Sequence, residues 1–184
     1  MRFDSLEHLA AWQATGRFPK IHDNIVAMAV TELAGVRLLD LGCSYGLLGA
    51  QLLKRGAAIT VTGIDVDEDV IRAAVGAGVP VGFCNLKVER GTFMNVHGII
   101  QDYQITAVVA RRIFPELFGA DLEAGKEFAN ILHYAGIKEM VVEGRVISPN
   151  AVNQLQGIDQ EVAMLSGSFQ ERKRVGAVSY LTAR

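Results

Sequence analysis

The residues of this sequence best suited to chemistry cluster around two glycines and two aspartates. In LLDLGCSYGLLGAQLLKRG, Leu38 to Gly56, a branched apolar run ends at Leu41, a turn passes through Gly42 and Gly46, and a helical pattern begins near Leu47. A glycine in such a turn can take positive φ and lets a ligand approach the backbone without meeting a Cβ, while the helix start offers free amides. The next apolar run ends in Ile64, Asp65 and Val66, and an acid at the tip of a second strand is placed to accept hydrogen bonds from both hydroxyls of a ribose. Turn and acid together describe an adenosine site at the carboxyl edge of a sheet. A dinucleotide fingerprint needs a second glycine where this frame has Ser44. Asp40, on the strand before the turn, would repel a pyrophosphate and attract an ammonium or sulfonium group. The residues therefore favour a positively charged adenosine ligand over NAD.

LDLGCSYG followed by GIDVDEDVIRAA resembles the first two motifs of the class I S-adenosylmethionine-dependent methyltransferases. The resemblance implies S-adenosylmethionine as cofactor. It has Gly42, Ser44 and Gly46 lining the methionine part, Asp40 helping to hold that loop and the amino group, Asp65 on the ribose and Val66 against adenine. The family's third motif is commonly an acid just after strand three. Phe83, Cys84, Asn85 and Leu86 stand there, so Asn85 is the matching polar residue, an amide in place of a carboxylate, with Leu86 beside it.

Other candidates carry less. Arg111 and Arg112 close the fourth apolar run, followed by IFPEL, where many members of that family meet the methyl acceptor. Either arginine could grip an acceptor carboxylate or phosphate in bidentate fashion, or form a salt bridge with Glu116 or Glu143. Glu143 itself could face the site or solvent. Cys43 reads as a small turn residue, since no histidine or second cysteine adjoins it. His22, His97 and His133 are isolated, and none is assigned a catalytic role. Trp12 and Phe18 fit an amino-terminal cover. The Asn-Pro-Pro-aromatic and Pro-Cys signatures of DNA methyltransferases are absent.

The elements that must position these groups follow from periodicity. Helical patterns near Ser5 to Thr15 and His22 to Leu33 open the chain. Runs beginning at Val36, Ile59, Val79, Ile105 and Glu139 are apolar throughout, which suits parallel strands buried on both faces. Helix candidates lie between them at Leu47 to Arg55, Glu68 to Val75, Gly91 to Gln101 and Leu122 to Tyr134, most closed by a glycine. At the end, VAMLSGSF and VGAVSYLTAR separated by QERKR read as an antiparallel hairpin. The sum is a doubly wound α/β sheet of seven strands, mostly parallel, with residues 1–35 as a helical cover and 36–184 as the ligand-binding domain.

With 184 residues, half of them hydrophobic and 21% charged, the chain suits one globular domain of the usual roughly 100 to 200 residues. A net charge of −2 offers no field for a nucleic-acid backbone. Cys43 and Cys84 lack the spacing of a zinc site, and no apolar run reaches membrane-spanning length, so the cytoplasm is the expected compartment and no metal is expected. The function these readings imply is methyl transfer to a small molecule or a protein side chain. The alternatives are a non-catalytic binding or assembly protein on the same fold, and an enzyme that cleaves the cofactor.

Overall fold

A computed structural model describes residues 6–15, 22–85, 93–119, 121–145 and 157–184. Seven strands form one sheet: β1 (Val36–Leu41), β2 (Ala58–Asp65), β3 (Gly82–Asn85), β4 (Ala107–Arg111), β5 (Glu139–Glu143), β6 (Phe169–Val175) and β7 (Val178–Ala183), in the order β3-β2-β1-β4-β5-β7-β6. β1 to β5 run parallel, while β7 pairs antiparallel with β5 and with β6. The order reverses between β1 and β4, and at such a switch point the crevice beyond the carboxyl ends of the strands takes ligands.

Alternation along the strands assigns residues to the two faces. Leu39 and Leu41 of β1, Val108 and Ala110 of β4, and Met140 and Val142 of β5 share one core with α5 (Phe93–Asp102), α7 (Leu122–Tyr134) and α8 (Ile158–Leu165). Leu38, Val109 and Val141 point the other way, into a second core with α2 (Asp23–Glu32) and α3 (Leu47–Lys54). Leu9 of α1 (Leu6–Thr15) and Ala74 of α4 (Glu68–Gly76) belong to that second layer. With both faces covered, the middles of the central strands are apolar apart from Asp40 of β1, because each apolar side chain is worth roughly 1.5–3 kcal/mol when fully buried.

Two elements depart from the sequence reading. Val162 to Leu165 ends α8 and is not a strand, and QERKR is not a turn but the body of β6, the turn falling at Gly176 and Ala177. β6 is an exposed edge strand, where charged side chains discourage pairing with other chains, so the apolar criterion that finds buried strands misses it. The second addition is α6 (Phe114–Phe118), with Pro115 in its first turn and Gly119 at φ 56 closing it. Phe114 and Phe118 lie 6.2 and 5.5 Å from the Phe128 ring, tying this short helix to α7.

Candidate cofactor site

The turn after β1 is built from left-handed residues. Gly42 and Gly46 have φ of 73° and 72°, and Ser44 between them has φ 49°, a conformation that costs a residue with a Cβ of order 1 kcal/mol or more. The turn is fixed from outside. Gly42 and Cys43 both donate their amides to the Ile64 carbonyl, at 2.9 and 3.0 Å, and Ser44 donates its amide to Asp65 Oδ2 at 2.7 Å. A Cβ on Gly46 would stand 2.6 Å from the Phe83 ring, and one on Gly42 2.7 Å from Ile113. These glycines are therefore required by dihedral and by space. Cys43 is buried, its sulfur against Gly63.

Asp40 and Asp65 have different tasks. Asp40 shares the α3 face of β1 with Leu38, is 2% exposed, and accepts the Gly49 amide at 3.1 Å. The residue preceding α3 is Gly46, which has no side chain to cap the helix, so the strand supplies the acceptor. Asp65 accepts Ser44 N on one oxygen and Asp67 N, at 3.0 Å, on the other. Asp67 caps α4, its Oδ1 accepting the Val70 amide, while Asp65 ties the first strand–helix turn to the second.

Beside this junction lies a cavity of about 180 Å³ lined by Leu41, Gly42, Ile64, Asp65, Val66, Ile113, Glu116 and Leu117. Gly42, Asp65 and Val66 come from the sequence-derived set; Val66 is 56% exposed there. Ser44 and Gly46 shape the turn behind it, and Asp40 lies on the far side of β1. Asn85 is exposed at the end of β3, in register with Asp65. Leu86, Phe18 and residues 146–156 fall outside the described residues. The far wall is formed by Ile113 and by Glu116 and Leu117 of α6, of which the sequence reading singled out only Glu116, as a salt-bridge partner for the arginines. Their spacing, Ile113 with Glu116 and Leu117, is one face of a helical turn.

Past that wall the ends of β4 and β5 carry a charge cluster. Arg111 Nε and Arg112 Nη2 each donate to Glu143 at 3.3 Å, and Glu143 is 6% exposed, so it faces neither solvent nor an open site. Arg112 has φ 60° and donates its amide to the Glu143 carbonyl at 2.7 Å. Arg145 and Glu116 form a second ion pair, nearer solvent. Under it Glu161 of α8 is 0% exposed, with no hydrogen bond to either oxygen. Burial, then the nearby Glu143, pushes its pKa up to about 9. Glu161 was legible only once α8 was: Ile158, Glu161 and Leu165 fall on one helical stripe.

Two of the histidines have structural settings. His22 is buried and accepts from Gln51 Nε2 at Nδ1, 2.7 Å away, and His133 meets Phe169 edge-on at 6.0 Å. Among the described residues no group of three or more His, Cys, Asp or Glu could hold a metal ion, and no helix is long and apolar enough to cross a membrane.

No family model matches the chain. In sequence it is 33% identical over 98 residues to a ubiquinone biosynthesis O-methyltransferase of Nitrosococcus oceani, across 48% of this chain and 40% of that one. A Neisseria meningitidis protein of the same name is 37% identical over 68 residues, 34% of this chain and 28% of its own. The matched stretch thus spans less than half the length of these curated relatives. Among solved structures, a TehB-like SAM-dependent methyltransferase from Corynebacterium glutamicum superposes with a TM-score of 0.61 at 16% identity, covering 97% of this chain and 96% of that one. Streptococcus pneumoniae Sp1610, solved in complex with S-adenosyl-L-methionine, gives 0.57 at 16% identity, over 91% and 73%. The chain therefore shares the Rossmann-like fold of these S-adenosylmethionine-dependent methyltransferases.

Proposed function

We propose that the chain is an S-adenosylmethionine-dependent methyltransferase acting on a small molecule or a protein side chain. The observation that carries this is the left-handed Gly42–Gly46 turn, anchored to Asp65 and opening on a cavity at the switch point of the sheet. The donor set fits the cofactor. Asp65 uses one amide on each oxygen, and a carboxylate has about four acceptor positions, so acceptor capacity remains for ribose hydroxyls. Val66 offers an exposed apolar surface for adenine, and Asn85, across from Asp65 in register, offers an amide to its edge, with Leu86 beside it. Gly42, Ser44 and Gly46 form the turn that receives the methionine part, and Asp40 holds the first turn of α3 in place behind it.

When bound, the cofactor supplies an electrophilic methyl group on a sulfonium. The chain's contribution is to hold both partners at the carboxyl edge, and positioning can supply up to roughly 7–11 kcal/mol in favourable cases. The N. oceani relative, named as an O-methyltransferase, supports a small-molecule acceptor, and the net charge of −2 disfavours nucleic acid. Residues 1–35 act in this reading as a helical cover on 36–184, with Leu9 and Ile25 packed into the core beneath. Cys43 and Cys84 are free thiols, which suits a reducing compartment such as the cytoplasm.

Calorimetry with S-adenosylmethionine and S-adenosylhomocysteine tests the reading. Both are expected to bind and to raise Tm, by the equivalent of about 2.7 kcal/mol at a hundred times Kd. Mass spectrometry of acceptor libraries then separates methylated product from cofactor breakdown or from binding alone. Heat with NAD and none with either ligand overturns it.

A further inference from the structure

One face of the cofactor turn is closed by a side chain. Gly42 is the glycine at which a ligand should meet backbone with no Cβ in the way, but the place a Cβ would take lies 2.7 Å from Ile113 Cδ1 and 2.9 Å from its Cγ1. The space in front of Gly42 is thus taken up by isoleucine. Gly46 meets a ring in the same way, since Phe83 fills the place of its Cβ. Phe83 is not among the residues that line the cavity, whereas Ile113 and Gly42 both are. Gly46 is therefore a packing glycine, and the Gly42–Ile113 contact borders the ligand space itself.

The size of the cavity points the same way. Its volume of about 180 Å³ lies below the roughly 300 Å³ at which ligand pockets begin. The Asp65 and Val66 end suits a ribose and its base, while an amino-acid arm laid over Gly42 collides with Ile113. The main chain at this point is held in place. Phe114 and Pro115, next in the chain, are buried, the Arg112 amide donates to the Glu143 carbonyl, and the Leu117 amide donates to the Ile113 carbonyl at 2.9 Å. The Ile113 side chain is only half-buried, so it can turn where the backbone cannot. A β-branched side chain moves between a few discrete rotamers, which makes the contact with Gly42 either closed or open.

We propose that Ile113 is a specificity-determining residue, a gate on the methionine arm: its side chain closes Gly42 in the ligand-free protein and must rotate away before the sulfonium end of the cofactor can seat. Ligands that stop at the ribose pass without moving it. The proposal rests on the cofactor reading above and adds the residue that controls entry to that site.

Surface plasmon resonance on the full chain compares adenosine, which ends at the ribose, with S-adenosylhomocysteine, which must displace Ile113. If neither ligand binds the wild type or a folded Ile113→Ala variant, the cofactor reading itself fails, and the gate with it. An open rotamer populated at one part in ten or less slows entry by that fraction, so Ile113→Ala should speed S-adenosylhomocysteine association by about tenfold or more, with Ile113→Val between it and the wild type. Adenosine association should stay at the wild-type rate in both. Tm should fall in the same series as apolar contact is lost. Faster binding together with lower stability is the signature, since a residue that only packs would lower Tm and leave association untouched. Ile113→Val removes one methylene and keeps the test readable if Ile113→Ala does not fold. Equal S-adenosylhomocysteine association in wild type and variants, with binding intact, overturns the gate and leaves the cofactor reading standing. Adenosine accelerated as much as S-adenosylhomocysteine also overturns it, because the barrier would then lie at the Asp65 end.

Discussion

Asp65 holds one backbone amide on each carboxylate oxygen, so its removal should be felt twice. Asp65→Ala leaves Ser44 N and Asp67 N without their acceptor at a half-buried site. It should cost about 1.5 kcal/mol of stability for each charge-assisted bond, besides the loss of S-adenosylhomocysteine affinity. Denaturant unfolding and calorimetry on one preparation separate the two losses; a variant weaker in binding yet unchanged in stability would mean that the loop amides find water instead. Glu161 gives a pH prediction. Its folded-state pKa of about 9 stands above the ordinary 4.5, so the folded chain keeps a proton that the unfolded chain releases. Stability contributed by this group is full below the lower value and falls as pH rises through the window between them. Glu161→Gln removes the titration. It should add roughly 3 kcal/mol near neutral pH and little at pH 4.5, read from denaturant midpoints at the two values. Parallel pH profiles for variant and wild type would show that Glu161 ionises in place.

At the scale of elements, α8 approaches the end of β5 closely at Gly144. A Cβ on Gly144 would stand 2.3 Å from Ile158 N and 2.4 Å from its Cα, and backbone cannot swing aside as a side chain can. Gly144→Ala must therefore push α8 off β5, with a cost at the upper end of the roughly 1–3 kcal/mol seen for overpacking. Gly167→Ala, with nothing near the added methyl, is the control and should be neutral or better. Chemical denaturation of both variants decides it, and equal midpoints would mean that the two elements yield without strain. What the sequence makes legible at this scale follows from the same physics. Strands buried on both faces announce themselves by continuous apolar runs, so β1, β4 and β5 are found; β6, charged along an open edge, is not. α6 is too short for periodicity to show. Asp40 is visible as an acid before a glycine turn, but its bond to Gly49 depends on which face of β1 it occupies, and that is fixed by the partners of Leu38 and Leu39. Arg145 and Glu161 act on each other electrostatically although they stand 16 positions apart, and no local pattern links them.

At the scale of the molecule, the strand order separates neighbours in space from neighbours in sequence. β1 receives β2 on one side directly, but its other side waits for β4, with Leu38 paired to Ala107 and Leu41 to Ala110. During synthesis the first three strands can therefore assemble while the other edge of β1 stands bare, an apolar edge of the kind that recruits foreign strands. Such non-local parallel pairing is slow to form. The edges of the finished sheet are the short β3 and the charged β6, neither of which invites partners. The vulnerable edge is thus a transient one, carried by β1 until Ala107 emerges and then by β4 and β5 in turn until β7 pairs, and a translational pause between Leu41 and Ala107 would lower the yield of the folded protein.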